Sequence, residues 1–278
     1  DITDRYNPLR GAIVVKKSYE VLDKFSPLIN ESFSNIKKIK INNNQLVFES
    51  FNKNITTLLI SKQFVGYLGK KNNPKEILLK KNGLHIRILI DKKNTPNDLD
   101  RSIIKDVIIE SAISVIMDLE DSVAAVDGED KKIAYSNWFG LINGSLKEKI
   151  IKGHKTFTRR LNKDFNYFNP KGKEETLKSK ALMLVRNVGH LMTNPAVLDK
   201  EKKEVGEGLL DAMFTTLCSI NDLKEQKNSR YGSIYIVKPK MHGPEEVKFA
   251  VSTFELVEKI LSLPKNTIKI GIMDEERR

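Results

Sequence analysis

Two short apolar runs in this chain end in carboxylates. Ile116–Met117 runs into Asp118, Glu120 and Asp121, and Gly271–Met273 runs into Asp274, Glu275 and Glu276. A third run, Ala181–Val185, ends in a cation, Arg186. Buried strands that carry charged groups at one end are how an α/β barrel delivers metal ligands and acid/base groups to its active face. Asp118 and Glu120, two apart, share a face if the strand continues that far. Oxygen donors of this kind suit magnesium, which takes one or two carboxylates and keeps water or substrate oxygens elsewhere. The same acids also serve as helix caps or as partners of Arg277, Arg278 and nearby lysines, and spacing alone leaves both readings open. An arginine at a strand end binds a carboxylate or an enolate oxygen through its planar fork. It also makes a structural salt bridge to a barrel acid, and on spacing that plainer role is slightly favoured.

The remaining chemical groups say less. His190 and His242 lack partners at zinc-ligand spacing and read as packed turn residues. Cys218 and Trp138 read as core. No P-loop, GxGxxG or GxSxG pattern is present, so nucleotide-triphosphate, dinucleotide and serine-hydrolase chemistry gain no support.

The elements that must position these groups follow from pattern. Ser18–Asn30 reads as a helix, and Leu46–Phe51 and Thr56–Ile60 as strands. Ile77–Leu79 and His85–Ile90 flank Asn82-Gly83, a strong hairpin signal because both central turn residues need positive φ. A polar linker, Asn94–Asp98, contains Pro96. Leu99–Ala112 has helical spacing, with Ile103, Ile104, Val107, Ile108 and Ala112 on one face. Ser114–Met117, Ala181–Val185, Ser233–Val237 and Thr267–Met273 read as barrel-type strands. Lys131–Ile142, Gly206–Leu223 and the segment opened by Gly243-Pro244 read as helices. Thr156–Leu161 reads as a strand, followed by a turn-rich stretch to Lys173. Strand, helix, strand within about 40 residues is a βαβ unit, so the sheet is at least partly parallel. Four such strands are half of the eight that a closed barrel needs.

Composition sets the outer bounds. With 278 residues, the chain can bury a large core. The net charge of +12 invites a nucleic-acid reading, and +8 of it falls in residues 1–110, where 20 Lys and Arg face 12 Asp and Glu. The lysines come singly and in pairs without interleaved aromatics, so the charge reads as a solvated surface and no nucleic-acid partner is expected. Apolar runs fall far short of a membrane span. A single cysteine excludes an internal disulfide and fits the cytoplasm.

Taken together, several strings resemble the G isoform of malate synthase: IMDLEDSVAAVDGEDK (116–131), TRRLN (158–162), VRNVGHLMTNPA (185–196), NSRYGSIYIVKPKMHGPEEV (228–247) and GIMDEERR (271–278). QFVGYLG (63–69) and LLKKNGLHI (78–86) look like that family too. The resemblance implies an α/β chain built as a partial (β/α)8 TIM barrel with an inserted α/β domain. Residues 1–110 and about 144–180 would be the inserted domain, and 111–143 and 181–278 the barrel. It also implies a magnesium-dependent enzyme of the glyoxylate cycle, cytoplasmic and monomeric, that condenses acetyl-CoA with glyoxylate and water to give malate and CoA. By motif, Arg186 matches the catalytic arginine that binds glyoxylate and stabilises the enolate. Glu275 matches a magnesium ligand beside glyoxylate, and Asp118 and Glu120 match acids that hold the metal's waters. Ser122 and Arg159 match acetyl-CoA contacts. The family's second metal-binding aspartate and its catalytic-base aspartate would lie beyond residue 278, so the chain is expected to be an internal, inactive piece of a longer enzyme. Two other readings stay in view: another magnesium-dependent barrel lyase acting on a CoA ester or 2-oxo acid, and a basic, non-catalytic binding module. On the barrel reading, Asp118, Glu120, Arg186 and Glu275 should converge at the C-terminal ends of the parallel strands.

Overall fold

The computed structural model describes residues 7–90, 103–110 and 112–276, which form two compact units, Asp1–Ser111 with Asp164–Lys178, and Ala112–Lys163 with Ser179–Arg278. Residues 164–178 are the stretch of the later chain that belongs to the first unit.

The first unit opens with helix α1 (Pro8–Phe25). Asn7 caps it, its side-chain oxygen accepting from the Leu9 and Arg10 amides, and Pro8 takes the first helical position, where no amide hydrogen is needed. The helix thus begins ten residues before the expected Ser18. Strands β1 (Ile36–Asn42) and β2 (Gln45–Ser50) pair through Asn43-Asn44, both at positive φ, and β3 (Ile55–Thr56) adds to β2. Next come β4 (Phe64–Lys70), β5 (Asn73–Lys81), β6 (Leu84–Ile90) and β7 (Ile104–Ile109). The Asn82-Gly83 turn forms as expected, with φ of 51° and 86°.

The expected helix at 99–112 is not what the described part of that segment forms. Ile104–Ile109 is a strand, antiparallel to β6, with Val107 opposite Ile88. Its run of Ile and Val favours extended backbone, and β6 supplies an edge to pair with. Residues 94–98 and 99–102 lie outside the described residues.

The second unit begins with β8 (Ser114–Asp118) and α2 (Gly128–Asn143), followed by a hairpin of β9 (Lys147–Lys152) and β10 (Lys155–Arg160). Asp127 caps α2 through the Asp130 amide, and Gly144 ends it in the left-handed region. The chain then rejoins the first unit as β11 (Phe165–Phe168) and β12 (Glu174–Leu177), completing a sheet of order β12-β11-β4-β5-β6-β7. Gly66 permits this docking, because a Cβ there would lie 2.1 Å from the Tyr167 ring.

Back in the second unit, β13 (Leu182–Arg186) is followed by the β14 (Thr193–Leu198) and β15 (Glu204–Gly206) hairpin, α3 (Glu207–Glu225), β16 (Ile234–Lys238), α4 (Pro244–Ile260) and β17 (Ile268–Ile272). The four strands β8, β13, β16 and β17 form one sheet, order β17-β16-β13-β8, and every pairing is parallel. This is a partial barrel, and among the described residues no barrel closes. Its core gathers Trp138, Val185, Ile236, Phe254 and Ile268. Trp138 donates to the Thr215 carbonyl and the Ser219 hydroxyl, so α2 is locked to α3 through the chain's sole tryptophan.

Candidate active site at the ends of the parallel strands

Parallel strands send their C-terminal ends the same way. Register places Arg186, the last residue of β13, opposite Asp118, the last of β8. There the Arg186 fork meets Asp118 in two bonds, Nε to Oδ1 at 2.8 Å and Nη2 to Oδ2 at 3.0 Å. Nη2 also donates to Asp121 Oδ2 at 2.8 Å. Nη1 reaches the Met273 sulfur at 3.7 Å, a weak acceptor. Arg186 is buried to 9% exposure.

A second group of bonds extends this cluster. Glu120 accepts from the Gly189 amide at 2.9 Å with one oxygen and from Lys240 Nζ at 2.7 Å with the other. Lys240 Nζ also donates to Asp121 at 2.8 Å, and the Lys240 amide donates to Glu275 at 2.9 Å. Asp118, Glu120, Arg186 and Glu275 are thereby joined in one network that crosses all four strand ends. Ser122 sits beside it, its amide donating to Asp118. Arg159 lies on exposed β10 opposite Glu148, and among the described residues no hydrogen bond or ion pair joins it to the network.

The electrostatics follow from these contacts. Burial works to raise the Asp118 carboxyl, but hydrogen bonds from Arg186, Ser122 and the Glu120 amide outweigh it and hold the group well below the usual carboxylate range. Asp121 is lowered by Lys240 and then Arg186. Lys240 is raised by Asp121 and Glu120, and Arg186 is raised chiefly by Asp118. All of these groups are charged at neutral pH.

A buried layer supports the loop after β13. Asp211, on α3 and fully buried, accepts from Lys131 Nζ at 2.9 Å, Tyr135 hydroxyl at 2.7 Å and the Val188 amide at 2.8 Å. Lys131 also pairs with Glu207. Lys238, ending β16, donates its ammonium to the Val188 carbonyl. Burial pushes Lys238 down to about 8, with Asp211 and Glu120 opposing. Val188 is held at both its amide and its carbonyl, and the next amide, Gly189, is the one that binds Glu120. Gly208 makes room for this, since a Cβ there would stand 2.6 Å from Lys238 Nζ and 2.8 Å from the Gly189 carbonyl. His190 packs against Phe249, and burial lowers its pKa.

Sequence reasoning did not single out Lys238, Lys240, Asp211 or Met273. The available signal was Lys-Pro-Lys directly after an apolar run, the cationic counterpart of the acidic strand ends.

Residues 182–278 match the model of the malate synthase TIM barrel domain, and residues 6–81 match the malate synthase G alpha-beta insertion domain. The chain is 48% identical over 276 residues to malate synthase G of Corynebacterium efficiens, and 47% over 276 to that of Corynebacterium glutamicum. It is 46% identical over 279 residues to malate synthase G of Halalkalibacterium halodurans. Along nearly its whole length this chain is similar to a part of malate synthase G. The matches take in 98–99% of the chain and 37–38% of each relative, so it spans a little over a third of the length of the curated relatives it matches. Within the malate synthase frame, the first unit holds the insertion-domain match and the second the barrel match.

Proposed function

We propose that this chain carries the glyoxylate-binding part of malate synthase, the condensation of acetyl-CoA with glyoxylate and water to give malate and CoA. The observation that carries the reading is the state of Arg186. Two carboxylates fix its Nε and Nη2, while Nη1 faces only a thioether among the described residues. A buried guanidinium with a donor so weakly used is prepared for a substrate oxygen.

Magnesium fits in kind. The acids offer hard oxygen donors, although among the described residues no three of His, Cys, Asp and Glu gather closely enough to hold a metal ion. Magnesium needs only one or two carboxylates. Glu275 is the direct ligand we assign, with Asp118 and Glu120 holding its waters. When bound, the ion would polarise the aldehyde and offset charge on the new alkoxide. The chain's own residues do the rest. Arg186 Nη1 binds the glyoxylate carboxylate or the enolate oxygen, and Asp118 and Asp121 keep the fork from turning away. Glu120, held at both oxygens, cannot swing out of the strand-end layer. Ser122 and Arg159 are the acetyl-CoA contacts we assign. No helix among the described residues is long and apolar enough to cross a membrane, and the cytoplasm is the compartment we assign.

The test is a thiol-release assay on the complete natural protein in which the sequence occurs, with acetyl-CoA, magnesium and glyoxylate. Glyoxylate-dependent release of free CoA is expected. Replacing Arg186 by Lys, which keeps the charge but not the fork, is expected to lower it by about 10²–10³-fold, the scale of losing one positioned donor. A folded, magnesium-loaded protein that releases no thiol on adding glyoxylate overturns the reading.

A further inference from the structure

Lys240 is where three strand ends of the candidate site meet. Its ammonium binds Glu120 at 2.7 Å and Asp121 at 2.8 Å, both beyond β8. Its amide binds Glu275, beyond β17, and Asp121 in turn holds Arg186, the end of β13. Lys240 itself follows β16, so one residue ties acids from both edge strands to the central arginine. Its backbone is unusual as well. Lys240 has φ of +55°, in the left-handed region, directly after Pro239. Positive φ is where glycine, which has no Cβ, is the usual residue. A lysine held there accepts strain that glycine avoids, and such outliers cluster at functional sites.

We propose that Lys240 is a positioning residue of this site: its ammonium fixes Glu120 and Asp121, and through Asp121 it fixes the Arg186 fork. The proposal rests on the malate synthase reading above. Within the network, four carboxylates (Asp118, Glu120, Asp121 and Glu275) face two cations, Arg186 and Lys240. Without the Lys240 ammonium, neighbouring carboxylates Glu120 and Asp121 repel, and the largely exposed Asp121 turns to water. Arg186 then loses one of its carboxylate bonds and with it the aim of Nη1. The loss of a positive charge also leaves the acids more attractive to a divalent cation. Turnover and divalent-ion affinity therefore move in opposite directions, whereas a merely structural lesion weakens both.

The experiment compares the complete natural protein with its Lys240→Met, Lys240→Arg, Lys240→Gly and Asp121→Asn variants. Steady-state kinetics give kcat and the glyoxylate KM, and manganese titration followed by electron paramagnetic resonance gives ion affinity without substrate. Lys240→Met is expected to lower kcat by about 10²-fold, the scale of an active group misplaced by about 1 Å, with manganese bound as tightly as before or several-fold tighter. Lys240→Arg should recover most of the loss. Asp121→Asn should match Lys240→Met in kcat, and the double variant should be no worse, because both break one relay. If Lys240→Met does not fold, Lys240→Gly removes the backbone strain together with the ammonium and gives the same reading. Wild-type kcat in Lys240→Met, weakened manganese binding alongside lost turnover, or additive effects of the two substitutions would each overturn the proposal. A natural protein without glyoxylate-dependent turnover is a failure of the functional reading instead, and the non-additivity of Lys240→Met and Asp121→Asn in manganese affinity then decides the coupling alone.

Discussion

Replacing Asp211 by Ala removes the acceptor at the centre of the buried support layer. Lys131 keeps Glu207 but loses a bond of 2.9 Å, and the Tyr135 hydroxyl and Val188 amide lose bonds of 2.7 and 2.8 Å. Breaking a buried ion pair by deleting one partner costs about 3–5 kcal/mol, and each orphaned neutral donor costs about 1–3 kcal/mol. These costs overlap, because water entering the vacated space serves more than one donor, so a total of about 4–5 kcal/mol is expected. Trp138 is the only tryptophan and lies on α2 against α3, so its fluorescence reports unfolding of the second unit alone. At a urea slope of about 2 kcal/mol per molar, the midpoint should fall by about 2 M. Asp211→Asn keeps the shape and should lose roughly half as much, since charge-assisted bonds become ordinary ones. A midpoint for Asp211→Ala within about 0.5 M of the natural sequence, less than even one orphaned donor costs, would refute the reasoning.

Three further outcomes follow. Lys238 has its pKa lowered from 10.5 to about 8 by burial, so between those values the unfolded chain binds more protons than the folded one and stability rises with pH. At about 1.4 kcal/mol for each pH unit between the two pKa values, the gain is on the order of 3 kcal/mol; it should appear as a difference between the natural sequence and Lys238→Met in urea midpoints from pH 8 to 10, and a flat difference contradicts it. Gly208→Ala forces a methyl group against Lys238 and the Gly189 carbonyl and should cost about 1–3 kcal/mol, read by the same fluorescence transition, and an unchanged midpoint would show that the loop gives way freely. Gly66→Ala should destabilise the first unit by a similar amount, again about 1–3 kcal/mol, seen by circular dichroism and not by Trp138, because its Cβ would strike the Tyr167 ring of that unit.

Much of the architecture was legible because its signals were physical necessities. Asn82-Gly83 could hardly be anything but a tight turn, and each of the four parallel strands was a short apolar run followed by a charge. The segment at 104–109 was misread because Ile and Val at helical spacing also suit a strand, and only the free edge of β6 decides the matter. Strand β1, the partner of the strand expected at 46–51, went unseen since Lys and Asn, common throughout the chain, fill four of its seven positions. In the site, the acids and Arg186 stood out by ending apolar runs. Lys238 and Lys240 were hidden among 48 basic residues, and nothing local distinguishes a lysine aimed inward at a carbonyl from one in water. Asp211 was less legible still: it lies in the middle of a helix, and its partners come from positions 23 to 80 residues away.

The four-stranded parallel sheet has β8 and β17 as its outer strands, and both carry uncovered oil. Val115 and Ile116 on β8 are 46% and 51% exposed, Ile113 just before it 79%, and Ile272 on β17 59%. Backbone donors beside β-branched side chains on a free edge are a template for another strand. In a concentrated stock of these 278 residues by themselves, two copies can therefore stitch edge to edge, and temperature, salt and time on the bench would set how much of the chain stays dispersed. Light scattering that grows with concentration and fades when Val115 is replaced by Lys would be the mark of that self-templating.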